Sequence, residues 1–244
     1  MDYQIIIPAR FESTRFPGKP LVDIFGKSMI NRVWEKCVEA SSPDKVLVAT
    51  DDQRIVDHCN SNNMAVILTS SNCLTGTDRL FEVAKKYKKQ TYINVQGDEP
   101  LISPNDIKTI IKAALREPGT IINAMCPIKT EIDFRNPNIP KIVTRKDGRL
   151  LYMSRSPIPT TKTKGFQTAM KQVCIMAYPY DSLIKYGLAK EKTPLENIED
   201  LELLRLLELG YDIKMIEVSD SSIAVDTPQD LEKVRVIIDK KTST

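Results

Sequence analysis

The 244 residues include only one histidine. A histidine-rich zinc centre is therefore excluded by count. A Ser-His-Asp or Cys-His mechanism would have to rest on His58. That residue lies in the polar stretch Asp57-His58-Cys59-Asn60, with no nucleophile motif beside it. The five cysteines (Cys37, Cys59, Cys73, Cys126, Cys174) are odd in number and form no Cys-x-x-Cys. This argues against a disulfide or metal framework and for reduced thiols in the cytoplasm. No signal peptide or long apolar span is present, so the expectation is a soluble protein without membrane contact. Basic and acidic residues nearly balance, 35 against 32, an excess too small to imply nucleic acid. The Walker pattern G-x-x-x-x-G-K-[ST] is missing, as are internal repeats and low-complexity tracts.

The length fits one domain, 1–244, and the apolar and charged fractions, 41% and 27%, are those of a globular chain. Only the tail Lys240-Lys241-Thr242-Ser243-Thr244 is expected to be disordered. Short apolar runs at 5–7, 45–49, 65–68 and 92–95 read as buried strands. They alternate with helical patterns at 28–40, 53–60 and around Leu80, Val83, Ala84 and Tyr87. That alternation predicts an α/β fold with a mainly parallel sheet flanked by helices. Ligands in such folds bind beyond the carboxyl ends of the strands. Ser103-Pro104 with Asp106, and Thr227-Pro228 with Asp230, read as capped starts of two further helices. Between them, strands at 120–126, 140–145, 149–153 and 172–178 suggest an antiparallel excursion over about 120–180. The polar stretch 160–171 reads as a mobile loop, and a helix is expected from Pro194 to about Leu209.

The loop Pro8-Ala9-Arg10-Phe11-Glu12-Ser13-Thr14-Arg15-Phe16-Pro17-Gly18-Lys19-Pro20 carries three cations and one acid after the first strand. Cations and backbone N–H groups at a strand end suit a polyphosphate, although a solvated basic loop reads the same way. Asn94-Val95-Gln96-Gly97-Asp98-Glu99-Pro100 sets carboxylates at the end of another strand. Magnesium favours one or two carboxylates plus phosphate oxygens, so Asp98 is a candidate ligand or else orders the turn before Pro100. Asp226 precedes a helix that Thr227 can cap, which frees it to be the second ligand or leaves it a turn residue. Thr75-Gly76-Thr77-Asp78-Arg79 offers hydroxyls and an arginine at a helix start, for a nucleoside or for capping. Arg155 suits a carboxylate through two parallel hydrogen bonds, or a surface ion pair.

Together these segments, with Val48-Ala49-Thr50-Asp51, Leu151-Tyr152-Met153-Ser154-Arg155-Ser156-Pro157-Ile158-Pro159 and Val225-Asp226-Thr227-Pro228, resemble the 3-deoxy-manno-octulosonate (Kdo) cytidylyltransferases. The matches run in the family's order over residues 5 to 236. The resemblance implies a Rossmann-like nucleotidyltransferase fold with a smaller antiparallel dimerisation subdomain, a cytoplasmic homodimer and a place in lipopolysaccharide biosynthesis. It implies Mg2+ on Asp98 and Asp226, and catalysis by these with Lys19 and Arg15. The nucleotide would meet Pro8, Ala9, Arg10, Arg15, Lys19, Thr75, Arg79 and Gln96. The sugar would meet Gln96, Arg155, Gln172, Met176 and Glu202. The chain departs from the family at Gln172, Cys174 and Met176, which stand for the usual His, Gly and Tyr. It departs again at Leu203, which stands for Gln. Lost hydroxyl partners weaken a buried polar site, so the sugar half reads as altered.

The expected reaction is attack of the anomeric hydroxyl of Kdo or a related 3-deoxy ulosonic acid on the α-phosphorus of CTP, releasing pyrophosphate. An alternative is a CTP-dependent transfer to another small acid, such as another nonulosonic acid or a phosphonate. A non-catalytic nucleotide-binding regulator would have lost the metal acids, and both are retained here.

Overall fold

The computed structural model describes residues 2–13, 15–220 and 222–242. Thr14 of the basic loop, and Ser243 and Thr244 of the expected disordered tail, lie outside the described residues.

Strand β1 (Tyr3–Ala9) buries Ile5, Ile6 and Ile7 completely. Successive side chains point to opposite faces, so a run this apolar requires cover on both sides of the sheet. A small hairpin, β2 (Asp23–Ile24) and β3 (Lys27–Ser28), leads into α1 (Met29–Ala40), which Ser28 caps by accepting from Asn31 N at 3.3 Å. There follow β4 (Val46–Thr50), α2 (Gln53–Ser61), β5 (Val66–Leu68), α3 (Gly76–Lys86), β6 (Thr91–Val95) and α4 (Pro104–Arg116). The second half supplies β7 (Ile121–Pro127), α5 (Glu131–Arg135), β8 (Lys141–Thr144), β9 (Leu150–Ser154), β10 (Met170–Pro179) and α6 (Tyr180–Leu188). It closes with α7 (Pro194–Glu199), α8 (Glu202–Glu208), β11 (Ile213–Glu217) and α9 (Pro228–Thr242).

The main sheet runs β11-β7-β10-β6-β1-β4-β5, with β8 and β9 attached beside β10. Pairs β6–β1, β1–β4, β4–β5 and β11–β7 are parallel, whereas β10 runs antiparallel between β6 and β7. The fold is thus α/β with a mostly parallel sheet. The strands of region 120–180 are continuous with that sheet rather than detached from it. Ile5, Ile7, Val48, Val95 and Ile175 face α1, α2 and α4, and Ile6, Tyr92, Met176 and Tyr178 face α3, α6 and α8.

Three expectations change. The helix expected over 194–209 is two helices, because Asp200 adopts a left-handed conformation (φ 52°) and ends α7 by donating its N–H to Glu196 O at 2.7 Å. That bend lets Glu196 meet Arg205 across the break. Ser103 stands at the N-cap of α4 without a side-chain capping bond, and Asp106 instead accepts from Ser219 N (3.2 Å) and Oγ (2.5 Å). The polar stretch 160–171 gives its last two residues to β10 and is tethered where Phe166 packs on Phe134, ring centroids 5.0 Å apart. The other capped start holds: Thr227 and Asp230 bond reciprocally at the head of α9. His58 bonds Ser28 Oγ and Asn31 Oδ1 (2.8 and 2.9 Å) as a structural link between α1 and α2. All five cysteines are free thiols.

Candidate active site

A cleft of about 260 Å³ opens above the carboxyl ends of β1 and β6. One wall is the loop after β1. Gly18 folds it back by donating to Phe11 O at 2.9 Å, in a conformation (φ 70°) that glycine adopts without steric cost. This presents Arg10, Arg15 and Lys19, together with Pro8 and Ala9, to the cleft. The floor is Gln96-Gly97-Asp98. A side chain at Gly97 would stand 2.9 Å from Pro8 O and 3.1 Å from Ile30 Cδ1, so only glycine lets β6 pass this close to β1.

Asp98 and Asp226, 128 positions apart in the chain, meet here. Lys19 Nζ donates to Asp98 Oδ2 at 2.7 Å and to Asp226 Oδ1 at 3.4 Å. The two oxygens are therefore separated by no more than the sum of those distances, about 6 Å. Arg15 Nη2 reaches the same Asp226 oxygen at 3.1 Å. The backbone joins the two segments as well, through Val225 N to Asp98 O at 2.9 Å. Two carboxylates thus converge on one cation beside the basic loop.

The far wall is formed by the start of α3 and by α7 and α8. Thr75 caps α3 in a reciprocal box with Asp78, and its hydroxyl lies 3.2 Å from Tyr186 OH. Glu202 accepts from Thr77 N (3.1 Å), Gly76 N (3.3 Å) and the Thr77 hydroxyl. Burial pushes its carboxyl above the ordinary value, and those hydrogen bonds oppose the rise. Arg79 is nearly inaccessible, paired with Asp51 at 3.0 Å and bonded to Thr69 Oγ1 at 2.6 Å, so it stiffens the cleft edge. Arg10 is exposed in the cleft lining; Lys192, through a hydrogen bond and its charge, holds Asp200 below the usual carboxylate range, and Arg155 and then Arg10 add to it.

Not every expected sugar contact lies on this wall. The Arg155 guanidinium donates to Glu199 O (2.6 Å), Pro137 O (3.0 Å) and Asp200 O (3.1 Å), outside the cleft lining. Gln172 Nε2 donates to Asn123 Oδ1 at 2.9 Å, and Met176 is buried with its sulfur accepting from Tyr178 OH at 3.0 Å. Leu203 belongs to the core. None of these residues belongs to the cleft lining. Conversely, Cys73, Leu74, Lys192 and Asp200 line the cleft, with Glu196 buried just beneath, and were missed by sequence reasoning. The last three lie in and around α7, beside the bend at Asp200 that no local pattern announces.

Residues 4–215 match the family model described as cytidylyltransferase. The 3-deoxy-manno-octulosonate cytidylyltransferase of Protochlamydia amoebophila (strain UWE25) is 41% identical over 94% of this chain and 91% of that protein. The Escherichia coli protein of the same name is 39% identical over 96% and 95%. The solved structure of CMP:2-keto-3-deoxy-manno-octonic acid synthetase complexed with CTP superposes with a TM-score of 0.92 at 37% identity, covering 99% of this chain and all of that one. With its two convergent carboxylates, basic loop and strand-end cleft, this chain belongs to the cytidylyltransferase family, among the 3-deoxy-manno-octulosonate cytidylyltransferases.

Proposed function

We propose that this chain transfers CMP from CTP to the anomeric hydroxyl of Kdo or a closely related 3-deoxy ulosonic acid and releases pyrophosphate. The observation that carries this reading is the convergence of Asp98 and Asp226 on Lys19 beside the basic loop. The names of the relatives supply the nucleotide and the acceptor.

The acid pair fits Mg2+. Both donors are hard oxygens, the Lys19 ammonium between them marks a place where a cation is favoured, and magnesium commonly takes two carboxylates with phosphate oxygens completing its shell. Among the described residues no third acid, histidine or cysteine joins them in a metal-binding cluster, consistent with a substrate that supplies the remaining ligands. Bound there, Mg2+ would neutralise phosphate charge and act as a Lewis acid.

The protein's own residues do the rest by position and charge. Lys19 and Arg15 exchange their carboxylate partners for phosphate oxygens and, with Arg10, stabilise the negative charge that grows on departing pyrophosphate. Pro8, Ala9, Gln96 and the Thr75 turn border the nucleoside, with Arg79 holding that edge rigid. Glu202 and Gln96 face the acceptor side. Arg155 is held by the carbonyls of Glu199, Pro137 and Asp200, Gln172 by Asn123, and Met176 by Tyr178. The acceptor hydroxyl displaces pyrophosphate directly, so no side chain need become covalently modified. Orientation and electrostatics provide the rate enhancement, which suits a site without histidine.

A homodimer formed through region 120–180 accords with β9, which pairs with β8 and presents Leu151 to solvent. A cytoplasmic setting accords with CTP as donor. No helix among the described residues is long and apolar enough to cross a membrane.

The test is pyrophosphate release from the four nucleoside triphosphates with Mg2+, against Kdo, other nonulosonic acids and small phosphonates. The reading expects release with CTP and Kdo or its near relatives. Release only with a phosphonate would move the assignment to the other small acids, and no release with CTP and any acid would refute it.

A further inference from the structure

Asp226 sits in an irregular segment between β11 and α9, yet its carboxylate must be held to within a fraction of an ångström of its place opposite Asp98. What fixes it is not a strand or helix. The Ser222 hydroxyl donates to Glu99 Oε2, and Val225 N donates to Asp98 O at 2.9 Å. Ser219, farther back, is held by Asp106. Glu99 follows Asp98 directly, is 4% exposed, and has no place in the proposed chemistry.

We propose that Glu99 is a positioning residue, a buried latch that grips Ser222 and thereby holds Asp226 in register with Asp98. The inference rests on the metal reading given above. Two segments meet at the Glu99 carboxyl: its own turn after β6 and the Ser222 segment. A carboxyl this deeply buried persists only when its oxygens have partners. Ser222 supplies one. The turn is also rigid on its other side, because Ile102 N donates to Glu99 O at 3.0 Å. A displacement of Ser222 therefore passes to Val225 and Asp226, not to Asp98.

The experiment measures Mn2+ binding by electron paramagnetic resonance, in the full-length protein with CTP present, alongside thermal melting. Residues that orient metal ligands typically change metal affinity by roughly ten-fold or more when altered, and Ser222→Ala and Glu99→Leu are expected to weaken Mn2+ binding by about that factor. Ser222→Thr, which keeps the hydroxyl, should restore wild-type affinity. A merely structural role would lower the melting temperature and leave the affinity of the folded protein unchanged. Unchanged Mn2+ affinity in Ser222→Ala overturns the latch. Asp98→Asn and Asp226→Asn serve as reference variants. If these too bind Mn2+ like the wild type, the metal reading itself has failed. If they lose it while Ser222→Ala does not, only the latch has failed.

Discussion

Replacing Arg205 by methionine should remove about 3–5 kcal/mol of folding stability, because it leaves a buried carboxylate without its counter-charge. Arg205 is 1% exposed and grips Glu196 with two prongs, Nε to Oε2 at 2.6 Å and Nη2 to Oε1 at 2.8 Å. The Glu196 side chain is equally inaccessible. Arg205 Nη1 also reaches Asp78 Oδ1 at 3.2 Å and Ala189 O at 3.3 Å, and the guanidinium stacks 4.0 Å from the centre of the Tyr186 ring. After substitution Glu196 keeps only the longer contacts from Tyr186 OH (3.4 Å) and Thr193 N (3.3 Å). Methionine preserves most of the volume, so the loss reflects charge and hydrogen bonding rather than a cavity. For a chain of this length each kcal/mol moves the melting point by about 2–4 °C, giving a fall of roughly 6–20 °C. Urea unfolding followed by circular dichroism measures the loss at constant slope. The double variant Glu196→Leu/Arg205→Met should recover much of it, since apolar replacement of a whole buried pair is often close to neutral. A single-variant loss below about 1 kcal/mol, the range of exposed pairs, would refute the claim that α7, α8 and α3 are pinned by a desolvated ion pair.

Gly97→Ala places a methyl group 2.9 Å from Pro8 O and must push the Asp98 turn away from the basic loop. Misplacement of about 1 Å costs on the order of a hundred-fold in rate, so turnover should fall by that much in a protein that still folds, read by pyrophosphate release and melting. Asp230→Asn removes the carboxylate of the α9 capping box, at about 1 kcal/mol near pH 7. Burial raises the Asp230 carboxyl, but hydrogen bonds from Lys233 and Thr227 outweigh it and leave the carboxyl below its ordinary value. A carboxylate depressed in the folded state contributes stability above its unfolded value and loses it as pH falls through the folded one. The stability gap between wild type and Asp230→Asn should therefore be constant at neutral pH and close below about pH 4, as followed by urea titrations across pH.

Much of the first half was legible because local rules and tertiary structure agree there. The Ile5-Ile6-Ile7 run acts within a few residues, as does the Thr227–Asp230 box near the other end of the chain. The rule that ligands gather at strand ends then led to Asp98 and the basic loop. The rest depends on contacts that neighbours in sequence do not reveal. Asp200 breaks a helix that periodicity would continue, because residues 196 and 205 must face each other. β11 is short and was not foreseen, although Ile213 and Met215 alternate with Lys214 and Ile216 toward the core. Arg155 reads as a carboxylate binder by chemistry, yet three backbone carbonyls claim it. Gln172, Met176 and Leu203 read as pocket changes; Gln172 bonds Asn123, and Met176 and Leu203 belong to the core, contacts that the sequence does not announce.

The most direct test of the central claim is the rate of pyrophosphate release from CTP and Kdo by purified Asp98→Asn and Asp226→Asn, with CTP binding measured in parallel. The convergence of these two side chains on Lys19 predicts that each variant binds CTP and folds normally while turnover nearly vanishes. Near-normal release from either variant would contradict it.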